Sequence, residues 1–286
     1  MRSFSAIFSG VRRALSRAGL DGYLVIFGSI IVVGVLIMAM FANYIAPYDP
    51  IQSVGPAIHP PCAKYLMGTD SIGRDVFSRI VYGSRTILMV IIMSTGLSMA
   101  IGIPLGLISG YTGGILDRVL SLIMDSIYAF PGLILAIVIA AMLGPGIYNT
   151  ALSLAVVYIP TYFRMIRGEV LSLRERLFVE AARAIGAKSR RIIVRYIFPN
   201  VIYLIAVVFS LNVADAILTE AGLSFLGLSV TAPTPDWGFD LKNGQRYFLS
   251  GIWWPVTFPG IMIILLALGF GFLGEGLNTI VSRQGE

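Results

Sequence analysis

The sequence predicts an all-α polytopic membrane protein with six transmembrane helices. Its 286 residues are 57% hydrophobic and only 13% charged, and the mean hydropathy is +0.85. Soluble domains carry about 25% charged residues, and a helix needs about 20 apolar residues to cross a bilayer. The apolar runs that predict the six spans are, in chain order, 24–42, 87–109, 121–143, 151–163, 201–221 and 255–273. The fourth run is short, so we expect its helix to extend a few residues at either end.

The distribution of basic residues predicts that both ends of the chain lie in the cytosol. Cytosolic loops of membrane proteins carry an excess of Lys and Arg. If the N-terminus is inside, 15 of the 21 basic residues lie in cytosolic segments and 6 lie outside. We therefore predict a multi-pass protein of the cell membrane. The same distribution explains the pI of about 9.5 without a nucleic-acid partner.

The N-terminal part is predicted to contact membrane lipids before the chain crosses the bilayer. Within residues 1–22, apolar residues recur at helical spacing, and Arg12, Arg13 and Arg17 are available to lipid head groups. This pattern is typical of an amphipathic helix on the cytosolic interface. Residues 23–85 then hold the first transmembrane helix and an extracytoplasmic loop. We expect the first span to be retained, because it is too long for a cleaved signal peptide and no small-x-small site follows it.

The stretch GTDSIGRDVFSRIVYGSR, residues 68–85, predicts an interfacial helix that leads into the second span. Its apolar residues recur on one helical stripe. Two oppositely charged pairs stand four residues apart, Asp70 with Arg74 and Asp75 with Arg79. Such pairs each stabilise a helix by about 0.2–0.5 kcal/mol.

Four glycines at the end of the second span predict close contact with another helix. They recur every four residues, and a row of small residues lets two membrane helices approach closely; they are Gly102, Gly106, Gly110 and Gly114. The alternative is the general enrichment of glycine in membrane helices. Prolines are expected to interrupt the second, third and fourth spans at Pro104, Pro131 and Pro160.

Three acidic residues lie in or near the apolar spans: Asp125, Asp215 and Glu220. A carboxylate at the centre of a membrane helix costs about 2.5–3.5 kcal/mol on insertion scales, so each is a candidate functional residue. The alternative is a structural hydrogen bond to a neighbouring helix. With one Cys, Cys62, and one His, His59, the sequence offers no disulfide and no Cys/His metal cluster.

The longest cytosolic segment, residues 164–200, is predicted to form two short helices that project from the membrane. Apolar spacing predicts an amphipathic helix over 171–185, with Gly186 as its stop. Ser189 is expected to cap a second helix over 190–196, which Pro199 interrupts before the fifth span. The run GAKS lacks the second glycine and the preceding strand of a phosphate-binding loop, so it does not predict a nucleotide site.

This segment resembles a motif of the permease subunits of ATP-binding-cassette (ABC) importers. The motif is E-A-A-x3-G-x9-I-x-L-P. The chain matches it with Glu-Ala-Ala at 180–182, Gly186 and Pro199, and departs from it with Tyr196 and Phe198 in the Ile and Leu places. In the family, this motif forms the coupling helix that docks into the ATPase.

Two further stretches resemble the C-type permease of the oligopeptide/dipeptide/nickel branch of that family. Residues 68–85 are similar to its external motif before the second span, and residues 217–238 are similar to its segment after the fifth. A final GEGLN at 274–278 is similar to the family's G-D-G-L-R. The resemblance covers most of the chain from about residue 68.

The resemblance implies a type I ABC importer permease fold with a cytosolic coupling helix. Residues 86–280 would form the permease domain of five helices, with a coupling loop over 166–200, and 281–286 a cytosolic tail. The family's partners are a second homologous permease, two ATPases that bind ATP and Mg²⁺, and an extracytoplasmic binding protein; relatives move peptides, nickel or oligosaccharides. The resemblance gives this chain no catalytic residue, cofactor or metal. The residues expected at the ATPase contact are Glu180, Ala181, Ala182, Arg183, Gly186 and Ala187.

Two functions of other classes compete with this interpretation. An ion-coupled secondary carrier or a channel would act without any ATPase, although such carriers usually bury more acids and histidines than this chain does. An intramembrane hydrolase needs a nucleophile and base, or metal ligands, on facing spans. The sequence offers no such set, because its one histidine lies outside the predicted spans.

Overall fold

The computed structural model describes residues 20–282, and every regular element in this range is helical. The amphipathic segment predicted near the N-terminus and most of the predicted tail lie outside these residues. A π-helical turn, Ile193–Ile197, joins the short helix Ser189–Ile192 to the long helix Phe198–Leu226. The helices are α1 (Leu20–Met40), α2 (Ala42–Ile45), α3 (Val76–Thr112), α4 (Gly114–Tyr128), α5 (Gly132–Leu143), α6 (Ile147–Leu173), α7 (Leu177–Ala184), α8 (Ser189–Ile192), α9 (Phe198–Leu226), α10 (Trp237–Phe248) and α11 (Trp254–Ser282).

The all-helical membrane class is confirmed. Four helical stretches of the described residues are long and apolar enough to cross a membrane: α1, α3, the continuous run of α8 and α9, and α11. The α4–α5 pair makes a fifth if it is one span bent by 88°. The remaining predicted span corresponds to α6, whose 27 residues extend about 40 Å. Its polar side chains lower its hydropathy, but Tyr158 and Tyr162 are buried against other helices and not exposed to lipid.

Three of the four glycines predicted to form a helix contact do so. On α3, Gly102, Gly106 and Gly110 pack against the backbone of α6, where an added Cβ would lie 2.7–2.9 Å from the nearest atoms. Gly114 does not belong to the row, because it begins α4 with a φ of +69° and has open space around it. The α3–α6 contact forms the centre of the hydrophobic core.

Substitution at this contact tests how tightly it is packed. We expect Gly106→Ala to lower the free energy of unfolding by about 1–3 kcal/mol, because the new methyl would lie 2.8 Å from the Phe163 carbonyl oxygen. Gly96→Ala is the matched control on the same helix, since no atom lies within 4 Å of its added Cβ. Thermal unfolding of both variants in detergent would measure the difference. Equal midpoints for the two variants would contradict the close contact.

The helix predicted over residues 68–85 does lead into the second span, but it begins only at Val76 and is continuous with that span, so the prediction of a separate interfacial helix is wrong. Two glycines with positive φ turn the chain before the helix begins, Gly68 at +75° and Gly73 at +82°. Asp75 then caps α3 by accepting from the Ser78 amide at 2.8 Å. From Val76 the helix runs for 37 residues without a break. The charged residues of this motif therefore surround the start of a long helix.

The prolines differ in their effects. Pro131 separates α4 from α5 as predicted, whereas Pro104 and Pro160 lie inside continuous helices. Pro199 was predicted to interrupt the second helix of the 164–200 segment before the fifth span, and this prediction is wrong. It occupies the first turn of α9 directly after the π-helical turn, so its missing N–H falls where the hydrogen-bond register already changes.

Candidate functional site

The segment that follows α6 forms a separate short helix, α7. The prediction of a single helix over 171–185 is wrong, because α6 ends at Leu173 and α7 begins only at Leu177. At the break, the Arg174 side chain donates to the Gly110 carbonyl at 3.1 Å, which ties the end of α6 to α3. The chain thus turns before the residues of the Glu-Ala-Ala motif.

Gly186 ends α7 as predicted, and the hydrogen bonds show how. The Gly186 amide donates to the Arg183 carbonyl at 2.9 Å, and the Ala187 amide donates to the Ala182 carbonyl at 3.0 Å. These two bonds form a Schellman motif, which needs a left-handed residue at the Gly186 position. Its φ of +79° meets that need. Ser189, predicted to cap the next helix, is instead its first residue, and Lys188 in the cap position makes no side-chain cap.

α7 has one buried face and one exposed face. Val179 and Ala182 are buried, so the small Ala181–Ala182 pair is divided between the two faces, with Ala181 exposed. At the two ends of the exposed side, Leu177 is 82% and Ile185 79% exposed. Glu180, Arg183 and Gly186 are exposed as well. Two large exposed apolar side chains at the ends of a short helix that is not a candidate membrane span favour a docking surface.

The buried face of α7 belongs to the same hydrophobic core as the long helices. Val179 and Ala182 belong to one cluster with Val170 of α6 and Ile197, the last residue of the π-helical turn before α9. Arg183 lies 5.3 Å from the centre of the Tyr111 ring of α3, at cation–π distance. α7 is therefore linked to the core of the long helices through its buried face and to α3 through Arg183.

A partly buried ion pair reinforces this end of the molecule, and the sequence did not reveal it. Arg167 of α6 binds both carboxylate oxygens of Asp117 in α4, at 2.6 and 2.7 Å. Ser109 of α3 donates to the same carboxylate. Asp117 and Arg167 are 50 residues apart, so no local spacing links them. The one available signal was an acidic residue in the first turn of a helix, which the helix dipole favours.

The external motif forms a charged cluster, and one of its two predicted pairs is correct. Arg74 Nε donates to Asp70 at 2.6 Å. The pair predicted between Asp75 and Arg79 is wrong, because Asp75 is used to cap α3. Arg79 instead binds Asp240 of α10, with donor–acceptor distances of 2.6–3.0 Å.

Arg79 links α10 and the loop before α3 to the start of α3. Its side chain is 2% exposed, and Nη1 also donates to the Pro50 carbonyl of the loop before α3 at 2.9 Å. At the next residue of α3, the Ile80 carbonyl accepts from the indole of Trp237, the first residue of α10. Burial raises the pKa of Asp240 to about 6, and the guanidinium of Arg79 opposes this shift. The motif thus fixes α10 and the outer loop on the end of α3.

The three acids singled out in the spans have different surroundings. Asp125 is exposed and lies 3.6 Å from Arg164. Glu220 is fully buried beside Asp236 and accepts from Ser229 at 2.8 Å. Asp215 is exposed on α9. Within the described residues, no group of three or more His, Cys, Asp or Glu side chains is placed to hold a metal ion.

Asp215 lines a cavity at the break between α4 and α5. The cavity has a volume of about 410 Å³ and lies between this break and the facing parts of α6 and α9. Its lining combines aromatic rings with polar groups: Tyr128, Phe130, Tyr158, Thr161, Asn212 and Asp215. It is the size of a small-ligand site.

Comparisons with known proteins identify the family. Residues 102–284 match the family described as "Binding-protein-dependent transport system inner membrane component". A dipeptide transport system permease protein of Alkalihalophilus pseudofirmus is 41% identical over 91% of this chain and 86% of its own length. A glutathione transport system permease protein of Pectobacterium atrosepticum is 36% identical over 95% of this chain and 91% of its own length.

A solved structure shares the fold. It is a chain of the MetNI methionine ABC transporter in an inward-facing conformation, with a TM-score of 0.56 and 18% identity. The match covers 71% of this chain and 95% of that one. It confirms the type I ABC importer permease fold. Because the family match spans more than half of the chain and the relatives cover nearly all of it, the chain belongs to the inner membrane components of binding-protein-dependent transport systems.

Proposed function

We propose that this chain forms half of the translocation pathway of an ATP-driven importer of short peptides. The relatives with 36–41% identity are named as permeases for dipeptides or glutathione, which favours a peptide over nickel or an oligosaccharide. An extracytoplasmic binding protein delivers the peptide, and a second homologous permease forms the other half. Two ATPases bind ATP and Mg²⁺ and drive the cycle. The chain itself has no enzymatic role.

The exposed side of α7 carries this proposal. It presents Leu177 and Ile185 to water while its other side is continuous with the core of α3, α6 and α9. Such an element transmits motion when a partner binds its exposed side. In the proposed assembly the ATPase binds α7 through the residues from Glu180 to Ala187. Closure of the ATPases then moves α7 and switches the pathway between inward- and outward-facing states.

The proposed orientation places α7 and both chain ends in the cytosol. Four basic residues around Val194 support it, because they surround a surface pocket at the start of α9 and none forms an ion pair among the described residues; they are Lys188, Arg190, Arg191 and Arg195. Clustered cations of this kind favour the cytosolic interface. The external motif then lies outside, where it holds the outer loop against α10.

Replacement of Leu177 tests the ATPase contact. We expect Leu177→Glu to reduce co-purification of the ATPases with this chain by at least tenfold, because a charge would replace a large exposed apolar side chain at the start of α7, beside the proposed contact residues. Leu249→Glu is the matched control, since Leu249 is 97% exposed on the opposite, external side. Quantitative mass spectrometry of the tagged chain purified from native membranes would measure the ratio.

The same preparation distinguishes the rival function. The wild-type complex, reconstituted with its binding protein, is expected to take up a labelled dipeptide only when ATP is supplied inside the vesicle. Uptake by this chain in the absence of any ATPase would identify a secondary carrier or channel. Equal recovery of ATPases with both glutamate variants would show that α7 is not the contact.

A further inference from the structure

The cavity at the α4–α5 break contains an exposed carboxylate near the middle of the membrane. Asp215 lies 11 residues before the end of α9, or about 16 Å along the helix. The 29 residues of α9 are longer than the hydrocarbon core of a bilayer, which is about 30 Å thick, and Asp215 lies close to the midpoint of α9, so its carboxylate lies at membrane depth. A charged group at such a depth faces protein or water and not lipid.

The carboxylate is held in place but is not neutralised. The Tyr158 hydroxyl donates to Asp215 Oδ2 at 2.8 Å and lies 3.1 Å from Thr219 Oγ1. No ion pair of the described residues includes Asp215. A purely structural role would not require an exposed carboxylate, since a neutral amide could accept the same hydrogen bond from Tyr158.

Other charges around the cavity cancel one another. Arg164 lies 4.5 Å from the centre of the Tyr128 ring, but Asp125 pairs with it at 3.6 Å. The C-terminus of α4 and the N-terminus of α5 meet at the break, where their dipoles have opposite signs. Among the described residues of this chain, Asp215 is therefore the cavity-lining acid that no cation of the chain pairs with.

The shape and lining of the cavity suit a small organic cation. Tyr128 and Phe130 contribute aromatic rings, and Thr161 and Asn212 contribute hydrogen-bonding groups. An ammonium group binds such a site through charge-assisted hydrogen bonds to the carboxylate and through the faces of aromatic rings. A compact, strongly hydrated ammonium needs a carboxylate to replace its lost water.

We propose that Asp215 accepts the N-terminal ammonium group of a short peptide while the peptide passes through this cavity. The inference rests on the proposed function, since the peptide supplies the ammonium. Tyr158 is a positioning residue, because it orients the carboxylate and does not itself contact the charge. The site acts after release from the binding protein, so it adds a second point of selection for peptides with a free amino terminus.

Thiol labelling inside the assembled importer tests the charge of the cavity. The chain has one cysteine, Cys62, which Cys62→Ser removes, and Thr161→Cys then places a single reporter in the cavity. We expect a cationic methanethiosulfonate reagent to label this reporter about tenfold faster than an anionic one, after correction for their intrinsic rates. Asp215→Asn should bring the ratio close to one, whereas Asp215→Glu should retain it.

Protection by peptides tests the ammonium. During ATP turnover, a dipeptide with a free amino terminus should slow labelling of the reporter, and its N-acetylated form should not. Asp215→Asn should abolish this protection and lower dipeptide uptake by about tenfold, the cost of one charge-assisted hydrogen bond. Uptake should recover in Asp215→Glu, which a role in packing alone would not predict.

The outcomes separate the two proposals. If the importer takes up dipeptides but Asp215→Asn changes neither labelling nor protection, the ammonium site is refuted and the proposed function stands. Protection by the N-acetylated dipeptide as strong as that by the free one would also refute the site. If the wild-type importer takes up no peptide, the proposed function fails and the ammonium site fails with it.

Discussion

Replacing Gly186 with valine is expected to lower peptide uptake more than tenfold while leaving the chain in the membrane. Gly186 has a φ of +79°, and the space around it is open, so no neighbouring atom obstructs a larger side chain. The backbone is what excludes valine. A β-branched residue held in the left-handed region costs about 1–3 kcal/mol. The turn would relax to another conformation, and α7 would lose the two hydrogen bonds that end it.

Gly186→Asn is the matched control, because asparagine tolerates the left-handed region far better than valine. We expect the asparagine variant to retain uptake within about threefold of wild type. ATP-dependent dipeptide uptake and ATP hydrolysis by the reconstituted complex would be measured together, and the valine variant should lose the link between them. Normal uptake by the valine variant would contradict the coupling role of α7. An equal loss of uptake in both variants would indicate that any side chain at position 186 clashes with a partner subunit. The backbone conformation would then not be the cause.

Replacing Arg79 with alanine is expected to lower the free energy of unfolding by about 3–5 kcal/mol. The substitution leaves Asp240 without its cation in a buried site and removes a donor from the Pro50 carbonyl. Because Arg79 links α3, α10 and the loop before α3, these three segments should separate first. Thermal unfolding in detergent would measure the loss. Arg246→Ala is the control, since Arg246 is an exposed arginine of α10, where such changes cost about 0.5 kcal/mol or less.

The loss caused by Arg79→Ala should depend on pH. Burial already raises the pKa of Asp240 to about 6, above the ordinary value of 3.8, and Arg79 opposes that shift. Without Arg79, the pKa of Asp240 in the folded state rises further. The folded state then binds the proton more tightly than the unfolded chain, so the variant gains stability as the pH falls through that pKa. We expect a smaller loss at pH 5.5 than at pH 8. A loss that is the same at both pH values would show that Asp240 is not left charged and buried.

Local patterns were sufficient for several features because each depends on few neighbouring residues. Long apolar runs marked the helices that cross the membrane, and the spacing of Gly102, Gly106 and Gly110 marked the face of α3 that contacts α6. Gly186 was recognisable as a helix stop, since glycine adopts positive φ without a steric cost. The Glu-Ala-Ala motif around it placed the candidate docking helix and led to the family.

Only the tertiary structure decided which residues meet across long separations in the chain. Arg79 pairs with Asp240 and not with Asp75, and Arg167 pairs with Asp117. These pairs form because the packing of the helices brings the oppositely charged side chains together. The sequence marked Asp215 as unusual but not what surrounds it. The break at Pro131 and the packing of α6 against α9 create the cavity, and no local pattern encodes the position of four helices relative to one another. By itself, the sequence determined the class, the spans and the family, since hydropathy and short motifs are local properties. The pairing of buried charges and the cavity depended on packing, which is set by contacts between residues far apart in the chain.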